Sequence, residues 1–63
     1  MNIDYEKLRQ DLKDYFGTAI GFMPVAIMDV IRVENASEEE LIQIAIQNGF
    51  NLSEYEYTKT FKI

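Results

Sequence analysis

The sequence predicts an all-α fold, a small three-helix bundle that ends in a short turn and an extended tail. Apolar side chains recur every three or four residues in three successive segments. Residues that begin or end helices stand between those segments. The 63 residues are enough for one domain only. We expect helices over Asp4–Phe16, Pro24–Glu34 and Glu38–Asn48, within a single domain that spans residues 1–63.

The first predicted helix is amphipathic. Its apolar positions recur at helical spacing, and charged side chains fill the other face: Tyr5, Leu8, Leu12, Tyr15 and Phe16. Asp4 is expected to be the N-cap, because an Asp side chain accepts hydrogen bonds from the free N–H groups of a first turn. Ile3 and Leu8 stand where a hydrophobic staple would place them. Gly17 is expected to end the helix.

The second predicted helix is almost entirely apolar. Pro24 is best tolerated in a first turn, so we place the start there. The alternative is a single turn from Thr18 that runs into a kink at Pro24. Between Val25 and Val33 the only polar residues are Asp29 and Arg32, three positions apart on one narrow strip. We interpret that strip as the solvent side, on which the two charges can pair.

The third predicted helix has a complete start and stop. Ser37 and Glu40 have the spacing of a capping box, in which each side chain accepts the backbone N–H of the other residue. The carboxylates at positions 38–40 lie where the helix dipole favours negative charge. Gly49 can adopt the left-handed conformation that ends a helix, which would fold Phe50 back on the last turn.

The signals after Gly49 conflict. The cap preference of Ser53 indicates one more helical turn. The apolar residues Tyr55, Tyr57, Phe61 and Ile63 instead alternate with polar ones, as in a strand. A lone strand would have no ladder partner in a helical bundle. We therefore expect a short turn over residues 53–57 and a flexible tail over residues 58–63.

Composition excludes several classes of function. The chain has no cysteine and no histidine, which removes disulfides and the usual zinc ligands. Its net charge of −5 disfavours nucleic acid, because phosphate binding needs clustered Lys and Arg. The N-terminus lacks the basic start and apolar run of a signal peptide. The longest uncharged run, residues 15–28, is too short to cross a membrane. We expect an acidic cytoplasmic protein that binds neither nucleic acid nor membranes.

No catalytic, cofactor or metal site is predicted. An enzyme should show a nucleophile beside a base, whereas Ser37 and Ser53 both stand at cap positions. The acidic residues Glu34 and Glu38–Glu40 could hold a hard cation, but adjacent helical positions point in different directions. The glycines at positions 17 and 21 lack the Gly-Lys-Ser/Thr ending of a phosphate-binding loop.

A predicted interface is the one functional feature. The apolar side chains around the second helix cover more of its circumference than two small neighbouring helices can bury. We assign five of these residues to a candidate interface: Phe22, Met23, Ile27, Met28 and Ile31. The competing interpretation assigns the same residues to the core. Methionine-rich apolar faces adapt readily to partners. We therefore expect a homodimer, and a protein partner is the alternative occupant of this surface.

The segment from Glu39 to Ser53 resembles a family pattern. It reads Glu39-Glu40-Leu41-Ile42-Gln43-Ile44-Ala45-Ile46-Gln47-Asn48-Gly49-Phe50-Asn51-Leu52-Ser53, similar to the ELxxIAxxxGFxxS pattern of Nif11-like domains. The resemblance covers about a quarter of the chain. These domains occur as leader regions of ribosomally made modified peptides, so the resemblance implies a helical element that a peptide-modifying enzyme recognises. The leading hypothesis is a non-catalytic protein that acts by self-association or by binding a protein partner, and the alternative is a leader-like recognition domain.

Overall fold

The computed structural model describes residues 2–56, and these residues confirm the all-α prediction. Three α-helices follow one another, α1 over Tyr5–Ala19, α2 over Ala26–Glu34 and α3 over Glu38–Gln47. A 3-10 helix, η1, spans Leu52–Tyr55. α1 packs against each of the other three elements. No helix in the described part of the chain combines the length and the apolar character needed to span a membrane.

α1 begins where the sequence predicts and ends later. The Asp4 side chain accepts the Lys7 backbone N–H at 3.1 Å, which confirms the N-cap. The helix then continues through Gly17 to Ala19, so the predicted stop at Gly17 is wrong. Gly17 keeps a negative φ, because only Gly49 has a positive φ among residues 2–56. A glycine ends a helix when it turns left-handed, and in a right-handed conformation it only weakens the helix.

α2 begins two residues after the predicted start. The backbone N–H groups of Ala26, Ile27 and Met28 donate to carbonyls three residues earlier, at 2.8–3.1 Å. This tight turn places Pro24 before the helix, where its missing N–H costs nothing. The alternative turn from Thr18 is also wrong, since Thr18 belongs to α1.

Both predicted ends of α3 are confirmed by hydrogen bonds. The Ser37 hydroxyl accepts the Glu40 backbone N–H at 3.2 Å, and the Glu40 carboxylate accepts the Ser37 N–H at 3.0 Å. Gly49 has φ 79°, and the Phe50 N–H donates to the Ala45 carbonyl at 2.9 Å. This six-residue closure is the Schellman arrangement.

The segment after α3 corrects two expectations. Asn51 caps η1, because its side chain accepts both the backbone N–H and the hydroxyl of Ser53, so the prediction that Ser53 is the cap is wrong. The turn ends at Tyr55, whose carbonyl accepts the Asp4 N–H at 2.6 Å. Ile3 and Glu56 then form an isolated antiparallel bridge. This bridge corrects the expectation that a strand-like segment after Gly49 would have no backbone partner. The predicted tail, residues 58–63, lies outside the described residues.

The core lies where α1, α3 and the end of α2 meet. The four largest fully buried side chains come from all three helices: Leu8, Leu12, Val33 and Leu41. Ile3 and Tyr55 extend the core toward the antiparallel bridge. Ile3 and Leu8 are both buried, in agreement with the predicted hydrophobic staple. Of the predicted apolar face of α1, Tyr15 remains 47% exposed.

Candidate functional site

The predicted interface residues lie on the surface. Residues 2–56 include eight large apolar side chains that are exposed, and six of these belong to one stretch of chain: Phe22, Met23, Val25, Ile27, Met28 and Ile31. Phe22 is 83% exposed and Met28 is 66% exposed. Such clustering on a chain this small marks a surface that is suited to an apolar partner. We call these six side chains the α2 surface.

The helical geometry explains why α2 hides so little of itself. Only Ala26 and Val33 of this helix are buried. They are seven residues apart and therefore lie on the same side, about 20° apart at 100° per residue. Met28 and Ile31 fall on the opposite side. Asp29 and Val30 are half-buried at the edges of the buried strip. α2 therefore contributes one narrow strip to the core and exposes the rest.

Asp29 and Arg32 do not form the ion pair that their spacing allows. Within the part of the chain that the structure describes, the ion pairs are Lys7 with Asp11 and Lys13 with Glu34. Asp29 is half-buried, whereas Arg32 is exposed. Both line a cleft of about 220 Å³ between α2 and α3. The prediction that both residues lie on the solvent side of α2 is therefore confirmed for Arg32 and not for Asp29.

Arg9 fixes the C-terminal end of α2 against α1. Its Nη1 atom donates to the carbonyls of Val33, Glu34 and Ala36 at 2.9, 3.0 and 3.0 Å. The last carbonyls of a helix have no partner within the helix, and a cation there also complements the helix dipole. Arg9 is one of the charged side chains on the predicted polar face of the first helix, and this contact was not predicted.

Lys13 lies one turn after Arg9 and reaches the same helix end. Its Nζ atom pairs with the Glu34 carboxylate. The hydrogen bond and charge of Lys13 hold the pKa of Glu34 below its usual value. Two basic residues four apart on one helix are a signal that could have indicated contact with the C-terminus of a neighbouring helix.

Tyr55 joins η1 to α1 through Asp11. The Tyr55 hydroxyl donates to the Asp11 carboxylate at 2.7 Å, and Lys7 donates to the same carboxylate oxygen at 3.0 Å. The Tyr55 and Lys7 hydrogen bonds lower the pKa of Asp11. Burial, followed by the hydrogen bond to Asp11, raises the pKa of Tyr55 to about 12. The hydroxyl is therefore protonated at neutral pH, and the hydrogen bond that it donates to Asp11 holds η1 against α1.

Aromatic rings support the other end of α1. Tyr15 packs edge-on against Phe16 and Phe50, with centroid distances of 5.1 and 5.4 Å. Phe50 also stacks on Tyr55 at 6.5 Å. The Schellman turn of α3 thus places Phe50 in an aromatic cluster that packs α1 against η1.

A groove opens between the C-terminal half of α1 and the start of α2. Its volume is about 510 Å³. The apolar walls come from both elements and the loop between them: Tyr15, Phe16, Ala19, Phe22, Met23 and Ala26. Thr18, Asp29 and Asn48 supply the polar groups. Phe16, Asp29 and Asn48 also line the smaller cleft, so the two openings adjoin.

Two of the acidic residues near the start of α3 have structural roles. Glu40 completes the capping box, and Glu34 pairs with Lys13. Among residues 2–56 no group of three acidic side chains is arranged to hold a metal ion.

Comparisons with protein-family models, curated proteins and solved structures found no match for this chain. The resemblance to Nif11-like domains therefore stays a prediction.

Proposed function

We propose that this chain is a non-catalytic, cytoplasmic protein that acts by self-association, as a two-fold dimer held by the α2 surface. The observation that carries the proposal is the exposure of six large apolar side chains within residues 22–31. The candidate interface named from the sequence, Phe22, Met23, Ile27, Met28 and Ile31, falls wholly within this surface.

The size of the α2 surface supports this assignment. An aromatic side chain offers ~150–250 Å² and an aliphatic one somewhat less, so six that are exposed by about half or more offer on the order of 600 Å². A stable interface covers ~800 Å² on each partner. Tyr15 and the polar residues that flank α2 can supply the rest.

The shape of the α2 surface supports a two-fold arrangement. Met28 and Ile31 are three residues apart and form one outer row along α2, on the side opposite Ala26 and Val33. Ile27 lies beside that row. Two such helices can pack antiparallel about a two-fold axis, because the same patch then serves both partners. A closed dimer also leaves no apolar patch free for further association.

The proposal is tested by measuring the mass in solution. Size-exclusion chromatography with light scattering at micromolar concentration should give twice the chain mass of 7.4 kDa. Met28→Glu should give a folded monomer with unchanged helical circular dichroism, because a carboxylate cannot be buried in an apolar interface without a partner.

Gln43→Glu is the matched control. It adds the same charge at an exposed position of α3, and this variant should remain a dimer. A monomeric wild-type chain over the whole concentration range would refute self-association.

A second candidate function is a leader-like recognition domain, and one observation favours it. Ile46 lies on the segment that resembles Nif11-like domains, and it is 61% exposed. An exposed isoleucine on a well-capped helix suits recognition by an enzyme groove. A gene for a peptide-modifying enzyme beside the gene for this chain would support that role. Ile46→Glu should then abolish binding to that enzyme and leave the dimer mass unchanged.

A further inference from the structure

The groove between α1 and α2 has the properties of a small-molecule site. Its volume of about 510 Å³ lies within the ~300–1,000 Å³ range of ligand pockets. Such sites combine apolar walls with a few polar groups that fix the orientation of the ligand. The walls here are aromatic and aliphatic, and the polar groups are Thr18, Asp29 and Asn48.

Most of the free polar atoms of the groove are hydrogen-bond acceptors. The Thr18 hydroxyl already donates its one hydrogen to the Asp14 carbonyl at 3.0 Å. The Asn48 amide nitrogen donates one hydrogen to the Ile44 carbonyl at 2.8 Å, which leaves its second hydrogen and the side-chain oxygen available. The half-buried Asp29 carboxylate makes no hydrogen bond or ion pair with the rest of residues 2–56. The oxygen atoms of all three side chains can accept hydrogen bonds, so they favour a ligand that carries hydrogen-bond donors.

Charge selects the kind of donor. Asp29 is a carboxylate beside apolar walls, where a cation gains more from a charge-assisted hydrogen bond than it does in open water. The net charge of −5 also raises the local concentration of small cations. Arg32 is the basic residue that lines the adjoining cleft, and it forms no ion pair with Asp29.

We propose that this groove binds a small organic amine, with its apolar body between Phe22 and the α1 wall and its ammonium group on Asp29. A free amine and a hydrophobic amino acid share this chemistry. In an amino acid, the carboxylate would extend into the adjoining cleft toward Arg32. The groove shares Phe22 and Met23 with the α2 surface, whereas Asp29 belongs to the groove and the outer residues Met28 and Ile31 belong to self-association.

The test is a titration of the ¹⁵N-labelled chain followed by NMR. Phenethylamine should shift the backbone amide signals of Ala19, Ala26 and Asp29. The neutral analogue 2-phenylethanol has a similar size and no charge, and it should bind at least tenfold more weakly. L-phenylalanine separates the two ligand sources. Binding tighter than that of phenethylamine assigns the site to amino acids, and weaker binding assigns it to simple amines.

Two variants test the role of the carboxylate. Asp29→Asn should weaken phenethylamine binding at least tenfold. Glu39→Gln removes the same charge at an exposed position remote from the groove, and it should leave the affinity unchanged. Equal losses in both variants would reduce the effect to net charge and overturn the proposal.

Equal affinity for the alcohol, or signal changes outside the groove, would overturn it as well. The comparison of amine with alcohol uses the wild-type chain, so it decides the matter even if Asp29→Asn fails to fold. A chain that is monomeric and still binds the amine would refute self-association and leave the amine site supported.

Discussion

Replacing Arg9 should be the most damaging single change on the charged face of α1. One nitrogen of this side chain contacts three carbonyls at the end of α2, at 2.9–3.0 Å. Arg9→Gln shortens the side chain so that it no longer reaches them. Ala36 is buried and Arg9 donates to its carbonyl, so the loss of that partner is costly, whereas the Val33 carbonyl keeps the Ala36 N–H at 3.3 Å.

The expected loss follows from these contacts. A hydrogen bond from a charged group contributes ~1.5–3 kcal/mol, and three bonds that share one partly exposed nitrogen cannot simply be added. We expect a loss of about 2 kcal/mol in the free energy of unfolding. In a domain of this size that loss lowers Tm by roughly 10 °C.

The assay is thermal unfolding followed by circular dichroism, at one fixed protein concentration because a dimer makes Tm depend on concentration. Arg32→Gln is the matched control. It removes the same charge from an exposed side chain that makes no hydrogen bond within residues 2–56, so Tm should change by no more than about 2 °C. Equal shifts in the two variants would show that net charge, and not the capping of α2, explains the effect.

Further predictions concern the Ser37 cap, two glycines and the contact between Tyr55 and Asp11. Ser37→Ala breaks the capping box and should cost ~1 kcal/mol, a fall in Tm of several degrees; an unchanged melting curve would contradict the cap. Gly17→Ala should raise stability by ~0.5–1 kcal/mol, since the added methyl meets nothing within 4 Å of a right-handed helical position, whereas Gly49→Ala should lower it at φ 79°. Urea unfolding measures both. The lowered pKa of Asp11 means that its share of stability is present above about pH 4 and lost as the pH falls through the folded value. Tyr55→Phe removes the largest cause of that shift, so the loss of stability in acid should become shallower. The raised pKa of Tyr55 predicts a further loss of wild-type stability as the pH rises from 10.0 to about 12, which the same variant should lack.

The sequence alone determined the helices and most of their ends. Asp4, Ser37 and Gly49 act on backbone groups within a few residues, so their roles can be read from local spacing. The candidate interface was also foreseeable, because a helix that is apolar around most of its circumference cannot be covered by two short neighbours. What the pattern did not decide was which strip of α2 faces inward.

The tertiary structure decided the contacts between distant residues. Arg9 reaches carbonyls 24–27 positions away, and Tyr55 reaches Asp11 across 44 positions. Ile3 pairs with Glu56 only because η1 brings the two chain segments side by side. The continuation of α1 through Gly17 is a further example. Glycine can adopt the left-handed conformation that ends a helix or the right-handed one that continues it, and the turn that follows determines which of the two is adopted. Local spacing fixes hydrogen bonds within one turn, whereas the choice among distant partners depends on how the helices pack, which no single segment of the sequence encodes.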